Sequence, residues 1–497
     1  MNILYDETTT VGVIVKHKLT FFGLCGLGTI ALIFLIYVLA TAWIPFFHRG
    51  KTSDAYREQH PVDRFFGDSS RWGNDRIALL DDPVVAGRWR LQLIAQAKES
   101  IEISYHTLIP GVYADLFFGA LFDAADRGVH VRFICDALVG GMKGQLMDIR
   151  KAMEAHPNME LGLYEPFNIL KPWQWNNRLH DKYLVVDAKV AIMGGRNIGD
   201  KLYQPSSYDG TPVFDRDVLI YRTDLDAPSV IDEILDYSEL LWNLPFMKHS
   251  QNRTSTGMKL GESIRTKWAA KAQRQQAAHP EFFSPVIEDW TEVTIPTRKI
   301  TLVHNPMGRW SKAPWIWDEM VQIFNIAEHR VLIQSPYIVP LNDQLEELQA
   351  VSDKGVHLSY LTNSAYSTPN IPGFSGYLRQ KGKILKTGPV YEYMGPGSIH
   401  AKSVLVDDRI SIVGSFNLDP RSLHLDTETM LVIDSEPFNE HLGSIMELWL
   451  DASACNEAGQ PVIPPANPQV PLRKAGIIKT IILRVAQIAL WPINILV

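Results

Sequence analysis

The sequence predicts an α/β protein made of two similar domains related by a pseudo-twofold axis. Three observations predict it. One short stretch occurs twice, the same residues follow each copy at the same spacing, and strands alternate with helices in the same order around both. The first copy is His180-Asp181-Lys182-Tyr183-Leu184-Val185-Val186-Asp187 and the second is His400-Ala401-Lys402-Ser403-Val404-Leu405-Val406-Asp407. Both read H-x-K-x4-D. A small pair follows each histidine at 14 residues (Gly194-Gly195, Gly414-Ser415) and an asparagine at 17 (Asn197, Asn417). A third match, Arg127-Gly128-Val129-His130 against Lys354-Gly355-Val356-His357, puts the repeat interval at 220–227 residues. That is too long for a solenoid and suits duplication of a whole domain.

Taken in order, the chain first offers residues 19–47, which are 29 residues without a charge. About 20 apolar residues cross a bilayer. Lys16, His17 and Lys18 precede the run, and His48, Arg49 and Lys51 follow it. Ala40-Thr41-Ala42 resembles a cleavage site, but the apolar core is about twice the usual signal-peptide length. The expectation is therefore a retained transmembrane anchor with one span, and basic residues at both ends do not orient it. Residues 1–60 form this anchor and a polar linker.

The first domain is placed at 61–255. Helical spacing covers 89–97 and 114–126, and β-branched or apolar runs mark strands at 101–108 and 129–135. The second domain is placed at 296–455, with a strand near 329–337, a helix at 341–352 and a strand at 356–361. This alternation predicts a largely parallel, buried sheet in each half. Residues 256–295 read as a linker with a solvated helix. After a proline-rich break, 456–497 end in a basic, apolar amphipathic helix from 472 onward, suited to a membrane interface. Packing of that helix on the domain is the competing expectation.

Composition bounds the function. The hydrophobic fraction is 46 % and the formal charge is −7, so no general basic excess suggests nucleic acid as a partner. Cys25, Cys135 and Cys455 lie far apart without metal-ligand spacing, which favours small apolar roles.

Each motif should begin a strand, with His and Lys two residues apart on one face. Two imidazoles and two ammonium groups converging on one pocket suit phosphodiester chemistry. One imidazole attacks phosphorus while the other moves protons, as a side chain with an unperturbed pKa near 6.5 can. Lys182, Lys402, Asn197 and Asn417 would hold the phosphate oxygens. Gly195 and Ser415 would let backbone N–H groups approach the phosphate closely. Each histidine needs a carboxylate on its other nitrogen. Glu428 is assigned in the second half and Asp217 in the first, with Asp215 as the alternative. Asp187 and Asp407, an odd number of residues from their histidines, should face away and hold the frame. No metal and no cofactor is required.

These paired motifs resemble the phospholipase D superfamily. The runs Gly194-Gly195-Arg196-Asn197-Ile198-Gly199-Asp200 and Gly414-Ser415-Phe416-Asn417-Leu418-Asp419-Pro420-Arg421-Ser422 are most similar to the bacterial cardiolipin synthase branch, in particular its class C type. Ser335-Pro336-Tyr337 and Leu361-Thr362-Asn363-Ser364 extend the likeness. The resemblance implies His180 as nucleophile, His400 as general acid/base, and a site at the interface of two phospholipase D-like domains. It also implies a membrane-bound phosphatidyltransferase that makes cardiolipin from phosphatidylglycerol and a second phospholipid, with phosphatidylethanolamine as another candidate donor. Hydrolysis of phospholipids and, further off, of nucleic acid are the alternatives. The long anchor is a departure from the class C pattern, so acceptor preference does not carry over.

Overall fold

The computed structural model describes residues 24–140 and 142–492. Its frame is two mixed β-sheets, one from each half of the chain. Towards one edge of the first, Ser100–Tyr105, His130–Asp136 and Met159–Tyr164 run parallel. Arg330–Gln334, His357–Asn363 and Val390–Tyr393 repeat this in the second. The remaining pairings within the two sheets are antiparallel. The expectation of largely parallel sheets is thus corrected, and the motif itself is the reason. Tyr183–Val186 turns straight back as Val190–Gly194, and Ser403–Val406 as Ile410–Gly414. A two-strand hairpin can only be antiparallel.

The hairpin turn depends on the motif aspartates. Asp187 and Ala188 have φ of 52° and 50°, and Asp407 has φ of 49°. Positive φ at both central residues, as in the first hairpin, gives a tight turn whose twist matches the strands. The Asp187 carboxylate accepts the backbone N–H groups of Lys98, Glu99 and Ser100. Asp407 does the same for Glu328, His329 and Arg330. Each aspartate pins its hairpin to the start of the neighbouring strand.

The two sheets meet across a shared core. Tyr183, Val185 and Val218 from one side lie in one cluster with Leu332, Leu405 and Leu431 from the other. Helices Pro83–Gln96, Val112–Asp126 and Met147–Ala155 pack on the first half, and Trp315–Asn325, Asn342–Asp353 and Ile371–Thr387 on the second.

Helix Ser255–Ala278 is not a free linker. It lies on the first half's helices through small residues: a Cβ on Gly119 would stand 2.5 Å from that of Ala272, and one on Gly261 2.5 Å from that of Ala155. The C-terminal helix Ile477–Ala489 seats Leu483 in the second core. Lys479 Nζ donates to the carbonyls of Tyr366 and Thr368, and Arg379 to that of Gln487. Ile477, Ile478, Ile481, Val485 and Ile488 remain exposed on its outer side. At the other end, Leu24–Phe47 is helical and long and apolar enough to cross a membrane. The parts of the anchor and tail at 1–23 and 493–497 lie outside the described residues.

Candidate active site

The two halves pair across their junction and exchange carboxylates there, which builds the site. Ser398 and Ile399 pair with Val213 and Phe214, and His400 N–H donates to the Phe214 carbonyl at 2.6 Å. In the mirror position Leu179 bridges Thr427, Thr427 N–H donates to Arg178 O at 2.9 Å, and His180 N–H donates to Thr427 Oγ1 at 3.0 Å. Each motif histidine therefore lies beside the chain that carries the other half's carboxylate.

His180 Nδ1 lies 2.8 Å from Glu428 Oε1, and His400 Nδ1 lies 2.6 Å from Asp215 Oδ2. Nε2 of each ring is left as the outward-working nitrogen, which is how a carboxylate fixes the tautomer of a reactive imidazole. Two expectations are corrected here. The carboxylates come from the opposite half, not from downstream in the same half. And Asp215, not Asp217, is the counterpart of Glu428. The β-ladder shows the equivalence: Gly194 faces Asp217 where Gly414 faces Met430. Two residues earlier on each strand stand Asp215 and Glu428. Asp217 instead accepts from two buried guanidinium groups, Arg90 Nη2 at 2.8 Å and Arg196 Nε at 2.9 Å.

Lys182 and Lys402 are buried beside their histidines. Lys402 Nζ is 2.9 Å from His400 Nδ1, and Lys182 Nζ donates to the His180 carbonyl. Asn417 is buried and its side-chain oxygen has no hydrogen-bond partner. A side-chain amide can be turned, since its O and N ends are assigned from the network. The oxygen of Asn197 accepts Thr107 N–H at 3.0 Å, which leaves its NH2 end as the one able to donate to a ligand.

Gly195 and Ser415 do not offer backbone N–H groups to a ligand. Those groups donate to Arg216 O and Thr429 O, continuing the ladders beyond the strand ends. The Ser415 hydroxyl instead donates to Glu428 Oε2 and so orients that carboxylate. At Gly195 a Cβ would stand 2.3 Å from Asp215 Oδ1. Its glycine is needed for close approach of the Asp215 carboxylate.

Residues not found from the sequence complete the arrangement. Asp136 Oδ2 accepts Leu179 N–H at 3.0 Å, and Asn363 Oδ1 accepts Ile399 N–H at 3.0 Å. They hold the backbone just before each histidine and stand at equivalent strand ends. Their position after a β-run was the available signal. Arg196, fully buried, donates to the carbonyls of Asp215, Leu202 and Leu80 and sets the loop that delivers Asp215. His106 stands edge-on to His180, ring centroids 4.8 Å apart, with its Nδ1 against the Leu179 carbonyl. Its counterpart in the second half is Pro336, since Leu108 and Ile338 make matching bridges. The His180 side therefore has a third imidazole that the His400 side lacks. A cavity of about 480 Å3, lined by Tyr337, Asn363, Asn370 and Ile399, opens onto His400.

The two pairs differ electrostatically. Burial, then the positive charge of Lys182, push His180 well below the ordinary histidine range. Burial pushes Glu428 well above the carboxylate range, against the pull of Lys182. The form of this pair with a free Nε2 carries one proton, on Nδ1, shared with the Glu428 carboxylate. Asp215 is different: burial opposes its ionisation, but His400 and Lys402 outweigh it and hold the carboxyl below its usual range. Burial and Lys402 lower His400, and Asp215 offsets this only in part. The His400 side chain is also more open, 28 % exposed against 10 % for His180. Among the described residues no group of three or more His, Cys, Asp or Glu side chains could hold a metal ion.

A family model described as "Cardiolipin synthase, PLD-like domain" matches residues 91–206 and again 320–449, one motif copy in each. Cardiolipin synthase C of Escherichia coli (strain K12) is 27 % identical over 386 residues, covering 70 % of this chain and 79 % of that protein. Cardiolipin synthase A of Buchnera aphidicola subsp. Schizaphis graminum is 25 % identical over 385 residues, covering 76 % and 70 %. Among solved structures, phosphatidylserine synthase of Haemophilus influenzae Rd KW20 matches with a TM-score of 0.58 at 14 % identity, over 85 % of this chain and 95 % of that one. At that identity the likeness is one of fold.

Proposed function

From the premise that the chain belongs to the phospholipase D-like family and is a phospholipid-modifying phosphatidyltransferase of it, we propose that it makes cardiolipin through a covalent phosphatidyl-histidine. The observation that carries the mechanism is the reciprocal pairing of His180 with Glu428 and His400 with Asp215. The likeness to cardiolipin synthases C and A supports the choice of product.

His180 is the nucleophile: burial disfavours its protonated ring, and a single proton held on Nδ1 against Glu428 leaves the Nε2 lone pair free. Nε2 attacks phosphorus, and the bond from phosphorus to the head-group oxygen breaks. His400, beside an ionised Asp215, carries the proton delivered to that oxygen. The imidazolium character that then develops on His180 is balanced by Glu428. His400, now neutral, takes the proton of the incoming hydroxyl, whose oxygen attacks phosphorus and releases His180. Lys182, Lys402, Asn197 and Asn417 hold the non-bridging oxygens. Phosphatidylglycerol is the acceptor, and a second phosphatidylglycerol or phosphatidylethanolamine is the donor. The chain acts at the membrane, held by one N-terminal span and touched down by its C-terminal helix.

The test is purified full-length protein with defined phospholipids, products resolved by mass, and protein quenched in denaturant at alkaline pH and digested for adducts. Cardiolipin is the expected product, with phosphatidyl mass on the peptide holding His180. An adduct on His400 reverses the two roles, and phosphatidic acid alone makes the protein a hydrolase. His180→Ala and His400→Ala should each abolish turnover, and substantial residual transfer by either would overturn the two-histidine mechanism.

A further inference from the structure

Along the N-terminal helix, exposure changes at Tyr37. Leu24, Leu27, Ile30, Ile33 and Ile36 are each more than half exposed. Beyond Tyr37 the chain lies on the protein: Ala42 and Phe46 are buried, and the Phe46 ring sits 6.2 Å from that of Trp310. The helix changes there as well, widening to a π-helix at Leu39–Trp43 and then tightening to a 3-10 turn at Ile44–Phe47. A surface suited to lipid gives way to a surface suited to protein. Tyr37, at this change of surface, is a side chain that favours a membrane interface.

One segment of the first half is bound to the helix at this level. The Tyr37 hydroxyl donates to the Leu170 carbonyl at 2.7 Å, and Asn176 Nδ2 donates to the Ala42 carbonyl at 2.7 Å. The tip of that segment is apolar and exposed: Phe167 51 %, Ile169 56 %, Leu170 69 %. It is internally built. Phe167 stacks on Trp175 at 5.4 Å, Trp175 Nε1 donates to the Asn168 carbonyl, and Asn168 Oδ1 accepts Leu170 N–H. The segment then runs through Arg178 and Leu179 into His180. Leu138 and Val139, also exposed, are tied to the same place through Asp136, which accepts their N–H groups as well as that of Leu179.

We infer that the tip Phe167–Ile169–Leu170 inserts into the bilayer interface beside the anchor and fixes the His180 side of the cleft at the lipid head groups. The occupant of this apolar surface is lipid, because the surface is continuous with the lipid-facing side of the helix through the Tyr37–Leu170 bond. The exposed Lys171 next to the tip suits anionic head groups. The inference rests on the membrane-anchored reading above.

Two measurements test it on the full-length chain in vesicles of phosphatidylglycerol and phosphatidylcholine. In the first, Ile169→Cys carries an environment-sensitive fluorophore in a Cys25→Ser background, Cys135 and Cys455 being buried. Lipids with a quencher at a shallow acyl carbon should quench it, and aqueous iodide should not. Leu27→Cys serves as the deep reference. A label quenched at 27 but not at 169 overturns the inference and leaves the anchor standing. Quenching at neither overturns both. This arm needs no turnover, so it is separate from the proposed reaction.

In the second, a variant with Phe167→Ser, Ile169→Ser and Leu170→Ser should lose at least about tenfold in transfer on vesicles and keep its rate on monomeric short-chain phospholipid. Unchanged vesicle activity, or equal loss on both substrates, overturns the inference.

Discussion

Asp215 and Asp217 stand two residues apart, yet Asp215 meets an imidazole and Asp217 meets two guanidinium groups. Their substitutions should separate cleanly. Asp215→Asn preserves the shape but favours the wrong tautomer of His400, so kcat should fall by about 10²- to 10⁴-fold with little change in melting temperature. Asp217→Asn leaves Arg90 and Arg196 buried without their counter-charge, so stability should fall by about 3–5 kcal/mol. Thermal unfolding beside turnover distinguishes them, and the reverse pattern would reinstate Asp217 as the partner of His400.

The pH profile is read at the same scale. Protonation removes the His180 lone pair, and burial has moved that event well below 6.5, so the acid limb of kcat/KM should lie below pH 6.5. Burial lowers Lys182 to about 7, so its charge is lost as pH rises through neutrality and an alkaline limb should begin there. Lys182→Arg keeps its charge throughout and should carry that limb upward by at least about one pH unit. A limb that stays in place belongs to another group.

At the scale of elements, the C-terminal helix has two faces with different consequences. Leu483 is seated in the core, and burial of such a side chain contributes about 1.5–3 kcal/mol. The outward row serves no core. Changing Ile477, Ile481, Val485 and Ile488 to Gln should leave the unfolding transition in place and lower vesicle-dependent transfer several-fold. Unchanged vesicle activity would make the helix a packing element only. The basic, apolar character of this tail was plain in the sequence, but not that Leu483 would dock and Lys479 would clasp the loop before Ile371–Thr387. The motif strands were legible too, since an apolar run and a small pair bound them. The choice between Asp215 and Asp217 was not. The segment between Asn197 and its carboxylate is longer than the one after Asn417, and a loop of unknown shape hides which of two residues of the same parity reaches the site. Only the ladder register, Gly194 to Asp217 against Gly414 to Met430, resolves it.

The whole molecule is where the exchange of carboxylates acts. Spacing within a half cannot reveal that a carboxylate will cross to the other half, because crossing is a property of how the sheets dock. Arg216 shows the docking directly: fully buried, it donates to Gln334 and Ser403 in the second half and to Asp81 in the first. Both histidines and both carboxylates belong to one chain. Mixing purified His180→Ala and His400→Ala proteins should therefore restore no activity. Recovery towards a quarter of the wild-type rate would instead mean that strands swap between two copies.

The same exchange sets a clock on the ribosome. Glu428 is made 248 residues after His180, which at roughly 5–20 residues per second is an interval of about 10–50 s. Throughout it, the helix at Leu24–Phe47 and the His180 half can already be at the bilayer, among the phosphates His180 would attack. On the proposed mechanism the chain would then be chemically silent, because Glu428, which readies that imidazole, does not yet exist. Reactivity would begin only when the second half has folded against the first, so the nascent protein would mature among phospholipids without acting on them.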